Sequence, residues 1–152
     1  MGGNMTNSSA VAISNLLYRY AELIDSGELE LAADLFRHAR IKVRHASEPI
    51  GTGELLDIWK RLIRLYPCGT PRTRHLVSNI ILDMDEEAGW AKTRSCYTVY
   101  QATEDLPLQL IAAGRYHDEF ERIEGSWRFC YRDYSLLDMV GDMSAHLNET
   151  IR

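Results

Sequence analysis

Apolar residues at Ile13, Leu16, Leu17, Tyr20, Ala21 and Ile24 recur at i, i+3, i+4, i+7, i+8 and i+11, which is the stripe of an amphipathic helix. Ser8 or Ser9 can cap its start through a side-chain oxygen. The run Asp25-Ser26-Gly27 marks its end, because Gly27 can take the left-handed C-terminal conformation. A second, shorter helix follows, with Leu29, Leu31, Ala32, Leu35 and Phe36 as its apolar set. Ile41-Lys42-Val43-Arg44 alternates and predicts a short strand. After the turn-rich break from Pro49 to Gly53, Thr52 is placed to cap a third helix. Its apolar face is Leu55, Leu56, Trp59, Leu62, Ile63 and Tyr66.

Pro67-Cys68-Gly69-Thr70-Pro71 ends the helical part, and the character changes to strands. Arg74–Met84, Trp90–Glu104, Leu108–Ile123 and Trp127–Leu137 are four long β-like runs. Short polar connectors separate them, which predicts hairpins and an antiparallel meander. Helices first and strands after give an α+β fold, with the helices packed on one face of a mostly antiparallel sheet. Strands this long must coil, and a coiled sheet capped by helices encloses a cavity. No repeat or linker interrupts the pattern. The expected organisation is one domain over residues 11–140, a disordered lead over 1–10 and a C-terminal tail over 141–152. Met139, Met143 and Leu147, at i, i+4 and i+8, predict a short closing helix or a partner contact in that tail.

Composition narrows the function classes. Seventeen basic against 22 acidic residues give a net charge of −5, no footprint for nucleic acid. No run of 18 apolar residues occurs, so no membrane span is expected, and the expected location is cytoplasmic. Cys68, Cys96 and Cys130 are odd in number and widely spaced, without zinc-type spacing, and read as reduced thiols.

Three stretches carry a resemblance. "LLYRYAELIDSGELELAADLF", "RHLVSNIIL" and "AAGRYHDEFERIEGSWRFCYRD" together resemble the SnoaL-like branch of the nuclear transport factor 2-like superfamily, over roughly Val11 to Leu137. The resemblance implies a cone-shaped α+β barrel, with the N-terminal helices packed in the concave face of a strongly curved, mostly antiparallel sheet. That superfamily includes scytalone dehydratase, bile-acid dehydratases, ketosteroid isomerase, polyketide cyclases and the β subunits of ring-hydroxylating dioxygenases. In its dehydratase-like members the first helix brings a tyrosine and, five residues on, an aspartate to the pocket, where a histidine of the strand after the third helix faces them. Tyr20, Asp25 and His75 stand at those positions. The second pocket histidine and further tyrosine of scytalone dehydratase have no secure match here; Tyr97 and Tyr100 are the candidates for the tyrosine.

The residues themselves support that chemistry. Asp25 lies about 140° round a helix from Tyr20, so the two converge only if Asp25 sits at the loosening helix end. A carboxylate accepting Nδ1–H of His75 would leave the other ring nitrogen as a general base. A phenol such as Tyr20 could polarise a substrate carbonyl. Base and phenol suffice for proton abstraction beside a carbonyl and loss of a β-hydroxyl as water, without cofactor or metal. His117 shares a strand face with Arg115 and Glu119 rather than with Tyr116, Asp118 and Phe120, against pairing His75 and His117 on a metal. Trp59, Tyr97, Phe120 and Tyr131 are candidates for the apolar pocket wall, beside a core role for each.

The leading expectation is a cofactor-independent lyase or isomerase acting on a small hydrophobic cyclic or polyketide- or steroid-like compound. Its rivals are a non-catalytic subunit resembling a dioxygenase β subunit, which would pair with a larger α chain, and a small-molecule binding module. A homodimer or higher homo-oligomer is expected in each case, since an open curved sheet buries its outer face against a copy.

Overall fold

The computed structural model describes residues 7–150. Helix α1 spans Ser9–Asp25, with Ser8 at the N-cap accepting from the Val11 amide. Ile13, Leu17, Tyr20, Ala21 and Ile24 form its buried stripe, as their spacing requires. Gly27, at φ 77°, closes the helix. The Gly27 amide donates to Ile24 O and the Glu28 amide to Leu23 O, a paired closure that satisfies two terminal carbonyls. Asp25 is therefore the last helical residue, aimed past the helix end. Ser9 and Ala10 are helical and not part of a lead, while the rest of the predicted lead, up to residue 6, lies outside the described residues.

Helix α2 (Leu29–Asp34) and strand β1 (Arg40–Lys42) follow, then helix α3 (Thr52–Leu62). The N-cap of α3 is Gly51, not Thr52; the Thr52 hydroxyl instead donates to Ala33 O at 2.6 Å and ties α3 to α2. Tyr66 falls beyond the end of α3, where its hydroxyl donates to Ala145 O.

Strands β2 (Thr73–Asp85), β3 (Trp90–Gln101), β4 (Gln109–Ile123), β5 (Ser126–Asp133) and β6 (Leu137–Val140) complete a six-stranded sheet. Its order is β1-β5-β4-β3-β2, antiparallel apart from the β1–β5 pair, and β6 joins the β4 edge beyond β5. Register shifts interrupt every antiparallel pairing, at Ser78/Ile81, Val99/Tyr100, Glu119/Phe120 and Ala113/Gly114. Bulges of this kind raise the local twist and bend the sheet around the helices. Asn79, at φ 54°, lies within the first of them.

One core unites the helices with the inner face of the sheet: Ile13, Leu17, Tyr20, Phe36, Trp59, Tyr116, Phe120 and Phe129 all belong to it. Among the described residues the tail forms no helix. Residues after β6 turn back, the Gly141 amide donates to Ile111 O, and Leu147 bridges Ile63 at the end of α3. His146 and Leu147 are buried there. Among the described residues no helix is long and apolar enough to cross a membrane.

Candidate active site

Strand β2 lies at the sheet edge, so part of its backbone has no neighbouring strand to bond. Asp25 fills that need. Its Oδ2 accepts the backbone N–H of His75 at 2.7 Å, while Oδ1 accepts the Thr73 hydroxyl at 2.9 Å and meets His75 Nδ1 at 2.6 Å. The carboxylate thus gathers three donors from one strand end. A carboxylate oxygen facing Nδ1 accepts from it, so the short contact places a proton on Nδ1, and in the neutral imidazole Nε2 then carries the lone pair. Both side chains are mostly shielded, at 7% and 12% exposure. A shallow recess of about 270 Å³ reaches the pair from outside, bordered by Tyr18, Glu22, Arg74 and Val77.

Deeper in, the register places Gln101 of β3 opposite Thr73. Gln101 is 1% exposed, and its Nε2 donates to Pro71 O at 3.0 Å and to Ala145 O at 3.1 Å. That second bond anchors the tail beside His146. Burial, with His75 adding to it, pushes the His146 imidazole down to about 4, while Asp25 acts in the opposite sense. His146 is therefore neutral at physiological pH, and its electrostatic coupling to His75 and Asp25 places it at the same end of the barrel. The sequence announces neither His146 nor Gln101. Neither has a local motif, and sequence separations of 71 (His75 to His146) and 26 (His75 to Gln101) hide a cluster that only strand register and tail docking assemble.

The middle of the barrel is filled with side chains. Arg132 and Asp118, 1% and 0% exposed, form a bidentate pair at 2.7 and 3.0 Å. The guanidinium lies over Tyr116 at 3.9 Å and over Tyr20 at 4.4 Å, with Phe36 and Phe129 beyond. Burial opposes charge on Arg132, yet Asp118 holds its pKa above the ordinary arginine value; burial raises that of Asp118 despite the same partner. Tyr20 is fully buried, and its hydroxyl shares a 3.0 Å hydrogen bond with Tyr134. Burial, reinforced by Tyr116 and Tyr134, holds the Tyr20 phenol well above its usual range and hence neutral. Tyr97 stacks on Tyr116 at 4.3 Å, a contact that Gly114 permits: a Cβ there would lie 2.6 Å from the Tyr97 hydroxyl.

The structure thus joins Asp25 and His75 directly and places Tyr20 deeper, in contact with Tyr134 rather than bonded to either. Trp59 and Phe120 are core residues at 3% and 1% exposure, and Tyr97 is a partly buried neighbour of that core. Tyr131 departs from the expected wall. It pairs with Glu119 on β4 and lines a recess with His117, Lys92 and Arg94 on the outer face, because the bulge at Glu119/Phe120 changes which residues of β5 turn inward. His117 lies on that outer face too, as its alternation predicted. Among the described residues no three His, Cys, Asp or Glu side chains are grouped closely enough to hold a metal ion.

No curated protein sequence matches the chain. Solved structures do. A protein of unknown function from Mycobacterium tuberculosis, studied as an aspartate-to-asparagine variant, is 25% identical with a TM-score of 0.65, over 86% of this chain and 72% of that one. A candidate scytalone dehydratase from Novosphingobium aromaticivorans is 23% identical with a TM-score of 0.67, over 94% and 89% of the two chains. The β subunit of a candidate aromatic-ring-hydroxylating dioxygenase from the same organism is 18% identical with a TM-score of 0.63, over 90% and 94%. The last two likenesses show the fold. Residues 6–133 match the model of the SnoaL-like domain, and the chain belongs to that family.

Proposed function

We propose that the protein is a cofactor-independent lyase or isomerase of the dehydratase type, acting on a small hydrophobic cyclic compound that carries a carbonyl. The observation that supports this reading most directly is the Asp25–His75 contact, 2.6 Å from carboxylate to Nδ1. It orients the ring and leaves Nε2 as the base. In the proposed step Nε2 takes a proton from the carbon beside the carbonyl. The electron pair moves into the enolate; as it collapses, the imidazolium gives the proton on Nε2 either to the departing β-hydroxyl, which leaves as water, or to another carbon of the substrate. Asp25 stabilises the imidazolium so formed. Tyr20, as the inner member of the Tyr20–Tyr134 phenol pair, supplies a neutral O–H network on the oxyanion side. Trp59 packs against Tyr20, and Tyr97 stacks on Tyr116, as the apolar surroundings of that pair.

The test is deuterium exchange. Cyclic ketones and β-hydroxyketones incubated with the enzyme in D2O should gain deuterium at the α-carbon, followed by NMR. His75→Gln should remove that exchange while leaving the circular dichroism spectrum and Tm near wild type. Exchange at the wild-type rate in the variant refutes the assignment. Co-purification with a larger α chain, with no exchange, would support the subunit reading instead.

A further inference from the structure

The free edge of β2 that receives Asp25 carries a second donor two residues further on. The His75 N–H points away from β3, since Asp25 takes it, and the pairs His75↔Val99 and Val77↔Tyr97 belong to one unbroken antiparallel register. Alternation along the ladder therefore aims the Val77 N–H at the same free edge. Among the described residues no side chain and no carbonyl outside the sheet accepts it. Val77 and His75 both line the recess of about 270 Å³ that reaches the Asp25–His75 pair from outside. Arg74 borders that recess too. Neighbours along a strand turn to opposite faces, so Arg74 leaves β2 on its exposed face and meets the recess at the open edge.

Charge in the recess is uneven. Glu22 is bonded to Arg19 at 2.6 Å, and Asp25 takes three donors from β2. Arg74 enters no ion pair among the described residues, which leaves its guanidinium as the uncommitted charge. Tyr18, 48% exposed, adds an aromatic surface, and Ala21 and Val77 add apolar ones. We propose that the Arg74 guanidinium and the Val77 N–H form an anion subsite of this recess, and that the compound acted on at His75 is a single-ring keto acid held there by its carboxylate. The inference deepens the acid/base reading by naming the substrate class; it rests on that reading for the reaction, though not for the binding.

The donors select a carboxylate. Asp25 shows how one sits on this edge, taking a backbone N–H of β2 and side-chain donors at once. Val77 and Arg74 offer the same combination about 7 Å further along the strand. A guanidinium presents parallel N–H groups that match the two oxygens of a carboxylate. A dianion such as a phosphate monoester would set a second negative charge beside Asp25 and Glu22, and Coulomb repulsion opposes it. An ammonium would face Arg74 with both carboxylates already engaged. The volume, below the roughly 300 Å³ at which ligand sites begin, suits one ring and no more.

The test reads binding, not turnover. Benzoate and cyclohexanecarboxylate, with benzamide and cyclohexanecarboxamide as uncharged counterparts, are titrated into the full chain while backbone 15N amide signals are followed. The acids should bind about tenfold more tightly than the amides at low ionic strength and should shift the Val77 amide signal. Added salt should shrink that preference. Arg74→Gln should reduce it to about twofold or less with Tm unchanged, because Arg74 is exposed, and Arg74→Lys should restore part of it. Acids that bind no better than amides, a preference that survives Arg74→Gln, or a Val77 signal that stays still while the acids bind overturns the proposal. Exchange surviving in His75→Gln, with the acid preference intact, would sink the acid/base reading alone. Exchange of neutral ketones that depends on His75, with no preference for acids, would sink the subsite alone.

Discussion

Replacing Asp25 by Asn changes one oxygen to nitrogen at a point where three donors converge, at 2.6, 2.7 and 2.9 Å. The amide has one acceptor oxygen. If that oxygen keeps the His75 backbone N–H, the new NH2 group confronts Nδ1 and the Thr73 hydroxyl. Thr73 can rotate to accept, but Nδ1 can accept only by giving up its proton, which then moves to Nε2. The variant would hold its histidine in the tautomer that lacks a lone pair at Nε2. If the amide flips, the edge-strand N–H loses its partner instead. Hydrogen bonds to a charged group are worth about 1.5–3 kcal/mol each, and part of that is recovered by the amide. The expected loss is about 2 kcal/mol, or about 4–8 °C in Tm for a chain of this size. A wrong-tautomer histidine in a catalytic triad loses about 10⁴ in rate, and α-proton exchange should fall on that scale. Ring 15N shifts of His75 report the tautomer, and urea unfolding reports the stability. A variant that keeps the Nδ1-protonated ring, with unchanged stability and exchange, would refute the assignment of Asp25 as the orienting group.

Three further outcomes follow from other parts of the molecule. A Cβ on Gly27 would overlap the Gly69 carbonyl oxygen at φ 77°, whereas Gly125, at φ 82°, has open space around it. Gly27→Ala should thus cost about 3 kcal/mol or more and Gly125→Ala only about 1 kcal/mol by denaturant titration, the latter being the cost of the left-handed conformation alone; equal costs would show that the Gly69 contact is unimportant. Arg132→Met alone should destabilise by about 3–5 kcal/mol because it strands the buried Asp118, while Arg132→Met with Asp118→Leu should recover most of that loss. Additive losses in that cycle would rule out coupling. His146 is held at about 4 in the fold, below its unfolded value of about 6.5. Its contribution is fully present above pH ~6.5 and is lost as pH falls from ~6.5 towards 4, about 3 kcal/mol in all. His146→Phe should flatten the stability profile in that window, and an unchanged slope would place the proton elsewhere.

The order of helices and strands was legible because it depends on local patterning. The α1 stripe, the Ser8 cap and the Gly27 stop act within a few residues of chain, and the alternation in "GRYHDEF" separated His117 from Tyr116, Asp118 and Phe120, the three that the structure buries. Boundaries slipped where a long-range contact outweighed a local preference: Thr52 serves Ala33 across the helix pair instead of capping α3, and the tail docks as an extended turn rather than a helix.

For the site, the sequence determined that a carboxylate would end α1 and that a histidine would enter β2, with Tyr20 some 140° away on the same helix. Helical geometry therefore left convergence of Tyr20 and Asp25 to the loosening of the helix end alone. The tertiary structure decided the rest. Docking α1 against the free edge of β2 turned Asp25 onto His75, while the same docking sent Tyr20 inward to Tyr134. Bulges, which no short-range pattern announces, moved Tyr131 to the outer face. Strand register and the returning tail brought Gln101 and His146 to the pair. Contacts between residues dozens of positions apart are chosen by packing and hydrogen-bond satisfaction over the whole barrel, so the polar half of the site exists only once the chain has closed on itself.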